Sequence, residues 1–509
     1  MTVQQGRDIA HELLMRWPGR VRRELGDIRH AWGDRITRYG MAGTLLIAIG
    51  SFSPAALPPA NPFRDVPILG LLQTTNAGRI IATTLIVLGV VILLDAWLRL
   101  RPAAVRPGLT RGTIWLWSVP LLAAPPLLSF DSYSYAAQGE MVDRGINPYE
   151  YGPAVLDGPF AEQVDHFWQF TPAPYGPLSL QVQHLVVDLT GHNPYLSAVL
   201  MRVPAFIGVL LIAVYLPRLA RLLRYDREST VWLAVLNPLV VLHFVGGAHN
   251  DSLMIGLMVW ALWLAATRHL VVGALAVAAA ASIKQPAAAA VLAVAALHTW
   301  RTNDWEQPTN REVLRHVVPA VAVFVVGFIA IGVFSQLGFG WIAALSVPGS
   351  VRSMLAPFTA VGTGLEWVFN QVGWYDTAGA SVGFMQKLGT VVGLAVMAWL
   401  VWRFKARHPV RTLGWILLAF VITGPVIHPW YLLWGGLIVA MTESELKWRR
   451  VVLWVTSFFV FYSTFDAAHF RNAVSSLAAT AMVALAWIAT GHDKGLNRDL
   501  DAQRRRAGS

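Results

Sequence analysis

The chain has 509 residues, of which 55% are hydrophobic and only 14% are charged, and its mean hydropathy is +0.50. A soluble domain carries about 25% charged residues, so this composition excludes a soluble enzyme, a disordered protein and a fibrous repeat. Cysteine is absent, which excludes disulfides, thiolate metal sites and cysteine nucleophiles. No glycine-rich nucleotide-binding motif is present, and we expect no cofactor.

Apolar segments of membrane-spanning length recur over residues 40–490. A helix needs roughly 20 apolar residues to cross a bilayer core, so we predict an all-α polytopic membrane protein with about 14 transmembrane helices. The candidate segments are 40–57, 79–98, 113–130, 195–217, 231–247, 251–267, 270–284, 286–300, 316–334, 384–403, 411–427, 429–443, 451–465 and 472–490. The polar segment 1–39 is predicted to be a basic amphipathic anchor interrupted at Pro18, and 491–509 a basic tail.

The basic residues predict the orientation. With both termini in the cytoplasm, 32 of the 40 Lys and Arg residues fall on cytoplasmic segments, as the positive-inside rule requires. This placement accounts for the net charge of +11 without nucleic acid. Two long segments, 131–192 and 335–381, then lie on the outer face of the plasma membrane, where we expect the functional site. We expect no cleaved signal peptide.

Asp131 follows the apolar run 121–130 directly, in the sequence Phe130-Asp131-Ser132-Tyr133-Ser134-Tyr135. A carboxylate at the outer interface is suitably placed for a general base, and partly apolar surroundings would bring its pKa near the value that such a base requires. Asp is also a preferred N-cap, here for a helix that begins at Ser132. Both interpretations stay open, and one residue could serve both roles.

Three cationic residues, Arg202, Lys284 and Arg352, lie at or near the predicted outer face. Charges at this depth are costly and mark functional sites by default. Both residue types bind phosphate, so we predict that these three bind the phosphate of an anionic lipid. For Arg202 and Lys284 the alternative is snorkelling, or pairing with Asp251 or Asp188.

The outer segments are rich in aromatic turns. Pro-Tyr and Tyr-Gly-Pro units form stiff turns whose rings suit the apolar faces of sugars, although an aromatic belt at the membrane interface is the alternative. The His249-x-Asp251 and His428-Pro429-Trp430-Tyr431 segments lack a third ligand at suitable spacing, so we predict no metal site. The predicted substrate-binding residues are Tyr133, Tyr135, Gln138, Tyr149, Tyr175, His249, Asn250, Asp251, His428, Trp430 and Tyr431.

An interface carboxylate, aromatic outer segments and membrane-depth cations together favour a lipid phosphate as substrate. A polyprenyl-phosphate sugar fits this description, and the chemistry would be glycosyl transfer with the carboxylate as base. One alternative is a transporter or flippase of a lipid-linked sugar, which predicts internal repeats and discontinuous helices. Another is a structural subunit of a cell-wall complex.

The sequence also resembles the actinobacterial polyprenol-phosphomannose-dependent α-1,6-mannosyltransferases of lipomannan and lipoarabinomannan assembly, which belong to the GT-C class. The similar segments are 131–135 with 137–138, 147–149, 152–153, 173–177, 237–238, 247–250, Lys284, 338–341 and 429–431. The resemblance implies inverting transfer of mannose from decaprenyl-phosphomannose to a lipid-anchored mannan, at a periplasmic site with Asp131 as base. The family includes an early and a late elongation activity. Segments 350–353 and 355–357 look more like the early type, whereas the short tail and compact loops depart from it.

Overall fold

The computed structural model describes residues 24–102, 112–345, 347–404, 406–467 and 473–490. Within these ranges every regular element is helical, so the predicted all-α class is confirmed. The predicted break at Pro18 and the basic tail lie outside the described residues.

The longer helices follow a segment over residues 24–33 that is also helical. We number them α1 (Arg35–Gly50), α2 (Asn76–Arg99), α3 (Gly112–Leu122), α4 (Asp131–Asp143), α5 (Pro177–Leu189), α6 (Pro194–Leu200), α7 (Arg202–Leu222), α8 (Asp251–Ala266), α9 (Leu270–Ile283), α10 (Ala290–Thr302), α11 (Asn310–Phe334), α12 (Pro357–Gln371), α13 (Tyr375–Phe404), α14 (Pro409–Thr423), α15 (Leu433–Thr442), α16 (Leu446–Ala467) and α17 (Ala473–Thr490). Short helical turns connect several of them, among them Pro153–Leu156, Gln285–Ala289 and Pro429–Leu432.

Among the described residues, four helical segments are long and apolar enough to cross a membrane: α2, α6 with α7, α11 and α13. A fifth is obtained if the bent pair Arg227–Val235 and Val240–Gly246 counts as one span. Each predicted segment coincides with a helix, but many of these helices are too short to cross alone, such as α8 with 16 residues. The several apolar helices are those of a membrane protein.

The two predicted outer segments contain more helix than the sequence suggested. The segment 131–192 begins with α4 and includes α5, which packs against α4. The segment 335–381 contains α12, which packs along α13 as an antiparallel neighbour. The apolar residues of α12 recur at helical spacing. However, Gly362, Gly364 and the polar Asn370 interrupt this pattern, and the sequence therefore predicts a loop for this segment.

Small residues bring the central helices close together. The helices α7 and α8 touch at Gly208 and Gly256, where a Cβ on Gly256 would lie 2.6 Å from the Gly208 carbonyl oxygen. The helices α1 and α2 meet in the same way at Gly43 and Gly89. Between membrane helices, dispersion at such close contacts replaces the hydrophobic driving force that water supplies elsewhere.

The bent pair that precedes α8 turns by 56° between Val235 and Val240. The turn follows from Pro238, which has no backbone N–H to continue a helix. Asn237 stabilises the turn, because its amide donates to Leu233 O and Thr456 Oγ1 and its Oδ1 accepts from Leu239 N. The break redirects the chain so that His249 reaches the beginning of α4, at Asp131.

The contact between α7 and α8 makes a first prediction. We expect Gly256→Val to destabilise the protein by about 1–3 kcal/mol, because the added side chain overlaps the backbone of α7. The measurement is thermal unfolding in detergent, followed by tryptophan fluorescence.

Gly383→Val on α13 is the matched control, since a Cβ there meets nothing within 4 Å. Equal melting temperatures for the two variants would contradict the close packing of α7 and α8.

Candidate active site

A cavity of about 370 Å³ opens beside the beginning of α4. Asp131 is the first residue of α4, and Arg352, His428, Trp430 and Trp168 line the cavity with it. The helix therefore begins one residue earlier than predicted. Phe130 occupies the N-cap position, which has no side-chain hydrogen bond, so the interpretation of Asp131 as N-cap is wrong.

The Asp131 carboxylate is held by two side chains. His249 Nδ1 lies 3.3 Å from its Oδ2, and Tyr135 donates its hydroxyl to the same oxygen at 3.4 Å. Its backbone N–H donates to Ser129 Oγ. The carboxylate remains 21% exposed and faces the cavity. A group of this kind is both oriented by its neighbours and reachable by a substrate hydroxyl.

The electrostatics of the carboxylate differ from the sequence-based expectation. Burial by itself would raise the pKa of Asp131, but the close contact with His249 Nδ1 holds that pKa well below its ordinary value. Burial also lowers the pKa of His428 to about 4. At neutral pH, Asp131 is therefore ionised and His428 is neutral.

Three rings form a stack beside the carboxylate. The Trp430 ring lies between His249 at 3.8 Å and His428 at 4.6 Å, measured between ring centroids. The stack joins the chain after the bent pair to the turn before α15, which are far apart in sequence. It fixes the plane of the His249 imidazole and hence the direction of Nδ1 toward Asp131.

Arg202 has a structural role that the sequence did not suggest. It is 3% exposed and donates to five backbone carbonyls: Leu122, Ala124, Pro125, Val245 and Gly246. These carbonyls lie at or just after the ends of α3 and of the bent pair, where helices leave acceptors unsatisfied. All five guanidinium donors are used. The prediction that Arg202 binds a donor phosphate does not fit these contacts.

Lys284 forms a buried ion pair, as the alternative interpretation proposed. Its Nζ lies 2.9 Å from Asp251 Oδ1, which also accepts from Trp434 Nε1 at 2.6 Å. The ammonium faces the rings of Tyr431 at 4.5 Å and Tyr175 at 5.6 Å. Asp251 is therefore a partner of Lys284, and neither it nor His249 belongs to a group of three possible metal ligands in the described part of the chain.

Arg352 is the predicted cation that the cavity exposes. Its side chain is 58% exposed and binds both carboxylate oxygens of Glu366, at 2.5 and 3.1 Å. An exposed pair of this type contributes little to stability and can exchange partners. The guanidinium can therefore turn from Glu366 to an anion in the cavity.

The other predicted substrate-binding residues divide into two groups. Tyr135 and Asn250 touch at 3.5 Å beside Asp131, and Tyr175 packs edge-on against Tyr135. Other residues face away from the cavity. Tyr133 is buried and donates to Ala56 O, and it does not line the cavity.

Tyr149 is likewise buried and donates to Tyr175 O, a role in shaping the turn rather than in binding. Gln138 is 5% exposed within α4. The sequence pattern of residues 131–138 does not distinguish substrate-binding side chains from structural ones, because α4 is buried on nearly all sides.

Several cavity residues were missed by sequence reasoning. Asp165 and Trp168 come from the first outer segment, and His243 and Asp466 from two membrane-associated elements. His243 Nε2 lies 3.0 Å from Ser463 Oγ on α16. Each of the residues His243, Ser463 and Asp466 is a polar residue in an apolar segment, and this feature could have indicated a functional position.

Known families match this chain in two parts. Residues 37–300 match the family described as alpha-(1->6)-mannopyranosyltransferase, N-terminal domain, and residues 358–491 match the MptB C-terminal domain. A relative in Mycolicibacterium smegmatis, named probable alpha-(1->6)-mannopyranosyltransferase, is 32% identical over 87% of this chain and 86% of its own length. The chain belongs to the alpha-(1->6)-mannopyranosyltransferase family.

Further relatives carry the same activity in their names. An alpha-(1->6)-mannopyranosyltransferase of Mycobacterium tuberculosis is 30% identical over 92% of this chain and 89% of its own length. Alpha-(1->6)-mannopyranosyltransferase B of Corynebacterium glutamicum is 26% identical over 85% and 77% of the two chains. The present protein is therefore a glycosyltransferase, as predicted.

Membership of a transferase family also bears on the transporter alternative. Transporters use discontinuous helices to bind substrate at mid-membrane. In this mannosyltransferase family member, the discontinuity between Val235 and Val240 instead directs His249 to Asp131. The broken helix is thus accounted for by the geometry of the cavity.

The contact between His249 and Asp131 predicts a change in pH dependence. In the native protein Asp131 stays ionised down to acidic pH, because His249 opposes the effect of burial. Replacing His249 by Gln leaves burial largely unopposed, so the Asp131 pKa rises and the basic form is lost as pH falls. We expect the acid limb of kcat/KM for mannosyl transfer to move up by about one pH unit or more.

The exposed His166, replaced by Gln, is the control for this profile. An acid limb that stays in place in His249→Gln, with only a uniformly lower rate, would rule out the electrostatic role of His249.

Proposed function

We propose that this protein transfers mannose from a polyprenyl-phosphomannose of the decaprenyl type to a lipid-anchored mannan, extending an α-1,6 backbone during lipomannan assembly. The observation that carries the proposal is the Asp131 carboxylate, oriented by His249 and Tyr135 and open to a cavity that Arg352 also lines. The names of the relatives support mannosyl transfer to form the α-1,6 bond.

The proposed reaction is a single displacement at the anomeric carbon. The 6-hydroxyl of the acceptor mannose bonds to C1 of the donor mannose while the bond from C1 to the phosphate oxygen breaks. Asp131 takes the hydroxyl proton, and the electron pair of the broken bond leaves with polyprenyl phosphate. Attack from the face opposite the phosphate inverts the configuration at C1. A carboxylate that is ionised at neutral pH is ready to accept this proton.

Arg352 supplies positive charge for the leaving phosphate in this proposal. Its fork of donors matches phosphate oxygens, and its present partner, Glu366, is a partly buried carboxylate that the same fork binds through two oxygens. Arg202 has no donor to spare, and Lys284 is neutralised by Asp251. We therefore assign the phosphate contact to Arg352 and give the other two cations positioning roles.

One wall of the cavity offers an apolar surface to the lipid chain of the donor. Ala55, Leu128 and Ala467 line both the cavity and an adjoining pocket between α1, α2 and α16. Ile47 and Ile86 form the apolar wall of that pocket. A sugar phosphate in the cavity would thus lie next to an apolar surface for the first prenyl units.

We further propose that the protein has the GT-C architecture, with about 14 membrane-embedded helices, termini in the cytoplasm and the cavity facing the periplasm. The excess of Lys and Arg in the cytoplasmic segments supports this orientation. The turn His428–Tyr431, Asp131 and Arg352 all fall on the outer side in this topology, which is where a lipid-anchored mannan would be extended.

The role of Asp131 is tested by Asp131→Asn, which keeps the shape but removes the base. We expect mannosyl transfer to fall by about 10²–10⁴-fold, the usual contribution of a general base. Transfer is measured with radiolabelled polyprenyl-phosphomannose and a short α-1,6-mannan acceptor in membranes that contain equal amounts of folded protein.

Asp157→Asn, in the same outer segment and exposed, is the matched control. Undiminished transfer by Asp131→Asn would exclude Asp131 as the base.

The role of Arg352 is tested by Arg352→Ala. We expect the KM for the donor to rise about tenfold, which corresponds to about 1.4 kcal/mol for a charge-assisted contact that is partly open to water. The KM for the mannan acceptor should stay within about twofold, since the acceptor carries no phosphate at its reacting end.

Arg64→Ala removes an exposed arginine that does not line the cavity and serves as the control. A native donor KM in Arg352→Ala would remove Arg352 from phosphate binding.

A further inference from the structure

A second polar cluster lies at the end of α4 opposite to Asp131. Asp143 is the last residue of α4, and it faces His184 and Asp188 on α5. With a rise of 1.5 Å per residue, the 12 steps from Asp131 to Asp143 place the cluster roughly 18 Å from the catalytic carboxylate. The cluster is therefore separate from the cavity.

The ligand atoms of this cluster lie within 4.8 Å of one another, close enough to share one metal ion. The Nε2 of His184 lies 3.5 Å from Asp143 Oδ1 and 3.5 Å from Asp188 Oδ2. Good N–H···O bonds are about 2.7–3.2 Å long. Ligand atoms at about 2.0–2.1 Å from a tetrahedral ion lie about 3.3–3.4 Å apart, which is close to the spacing found here.

The surroundings of His184 leave its Nε2 directed to the two carboxylates. Gln181 donates its amide N–H to Ser335 O at 2.7 Å, which fixes the amide and directs its Oε1 to His184 Nδ1 at 3.4 Å. Gln181 Oε1 can accept a hydrogen bond from Nδ1, and Nε2 is the ring nitrogen that faces the two carboxylates. Metal-binding histidines are oriented in this way by an acceptor on the other ring nitrogen.

The neighbouring residues Glu140 and His192 do not form an equivalent site. His192 Nδ1 lies at hydrogen-bond distance, 2.8 Å, from Glu140 Oε2. Arg144 occupies the other Glu140 oxygen with two donors. His192 Nδ1 also lies 3.8 Å from Asp143 Oδ2, but its short contact is with Glu140, whereas His184 Nε2 lies equally far from Asp143 and Asp188.

We propose that Asp143, His184 and Asp188 bind one Zn²⁺ ion, with water as the fourth ligand. One imidazole and two carboxylates are ligands of zinc, whereas Mg²⁺ and Ca²⁺ prefer oxygen alone. The three side chains are partly exposed, so the ion can enter from solvent.

The ion joins α4 to α5. The helix α5 also carries Ser179, whose hydroxyl accepts from Asn250 next to His249. Zinc at this place stabilises the frame that holds both ends of the contact between Asp131 and His249, without taking part in the reaction. The proposal does not depend on which sugar donor the protein uses.

The test measures metal binding directly. The full-length protein is purified in detergent, its affinity tag is removed, and bound metal is stripped with a chelator. Zinc stoichiometry is then measured by equilibrium dialysis and mass spectrometry, and Co²⁺ serves as a spectroscopic probe of tetrahedral coordination. We expect one ion per chain and an increase in melting temperature on adding Zn²⁺.

His184→Ala and Asp188→Asn should each weaken zinc binding by at least about tenfold. His166→Ala and Asp157→Asn are the matched controls, since both residues are exposed in the same outer segment. Each variant is checked for native elution on gel filtration.

Absence of zinc binding, with His184 acting only as a charged bridge between carboxylates, would overturn the proposal, as would binding that survives both ligand variants. Mannosyl transfer is not the readout, so failure here is distinguishable from failure of the proposed function.

Discussion

The five hydrogen bonds of Arg202 are the constraint on which the cavity depends. They collect the backbone carbonyls left over at the end of α3 and at the end of the bent pair, two places where helices stop inside an apolar protein. A buried carbonyl without a donor costs about 1–3 kcal/mol, and the positive charge also interacts favourably with both helix dipoles. The segments that follow these two ends carry Asp131 and His249. The Arg202 side chain thus fixes the points from which the chain runs to Asp131 and to His249.

The ring stack extends the same constraint to the C-terminal half of the chain. Trp430 lies between His249 and His428, so the turn Pro429–Leu432 is held against the chain that leaves the bent pair. The ion pair of Lys284 with Asp251 adds a further connection, because Trp434 on α15 donates to the same carboxylate oxygen. Breaking such a buried pair on one side costs several kcal/mol. The cavity is therefore shaped by three cross-connections between distant parts of the sequence.

The sequence predicted those features of the fold and of the site that depend on neighbouring residues alone. Apolar length predicted where helices occur, and a carboxylate directly after an apolar run predicted Asp131 at the cavity. The sequence did not predict the role of a residue where that role depends on a partner far away in the chain. The isolated cations Arg202, Lys284 and Arg352 look alike in sequence, yet one caps helices, one is paired and one lines the cavity. The lowered pKa of Asp131 depends on His249, more than one hundred residues away. The number of spans also depends on how short helices pack, which hydropathy does not encode.

The distribution of charge explains why a carboxylate and a cation can share one cavity without neutralising each other. Lys284 is satisfied by Asp251, and Arg202 by carbonyls, so neither contributes a mobile charge. His428 is neutral at pH 7 because burial lowers its pKa to about 4. Asp131 is directed to His249 and Tyr135, while Arg352 is turned to Glu366. An anionic substrate that displaces Glu366 would therefore meet a positive charge on one side of the cavity and a base on another. That separation is what transfer from a phosphate to a hydroxyl requires.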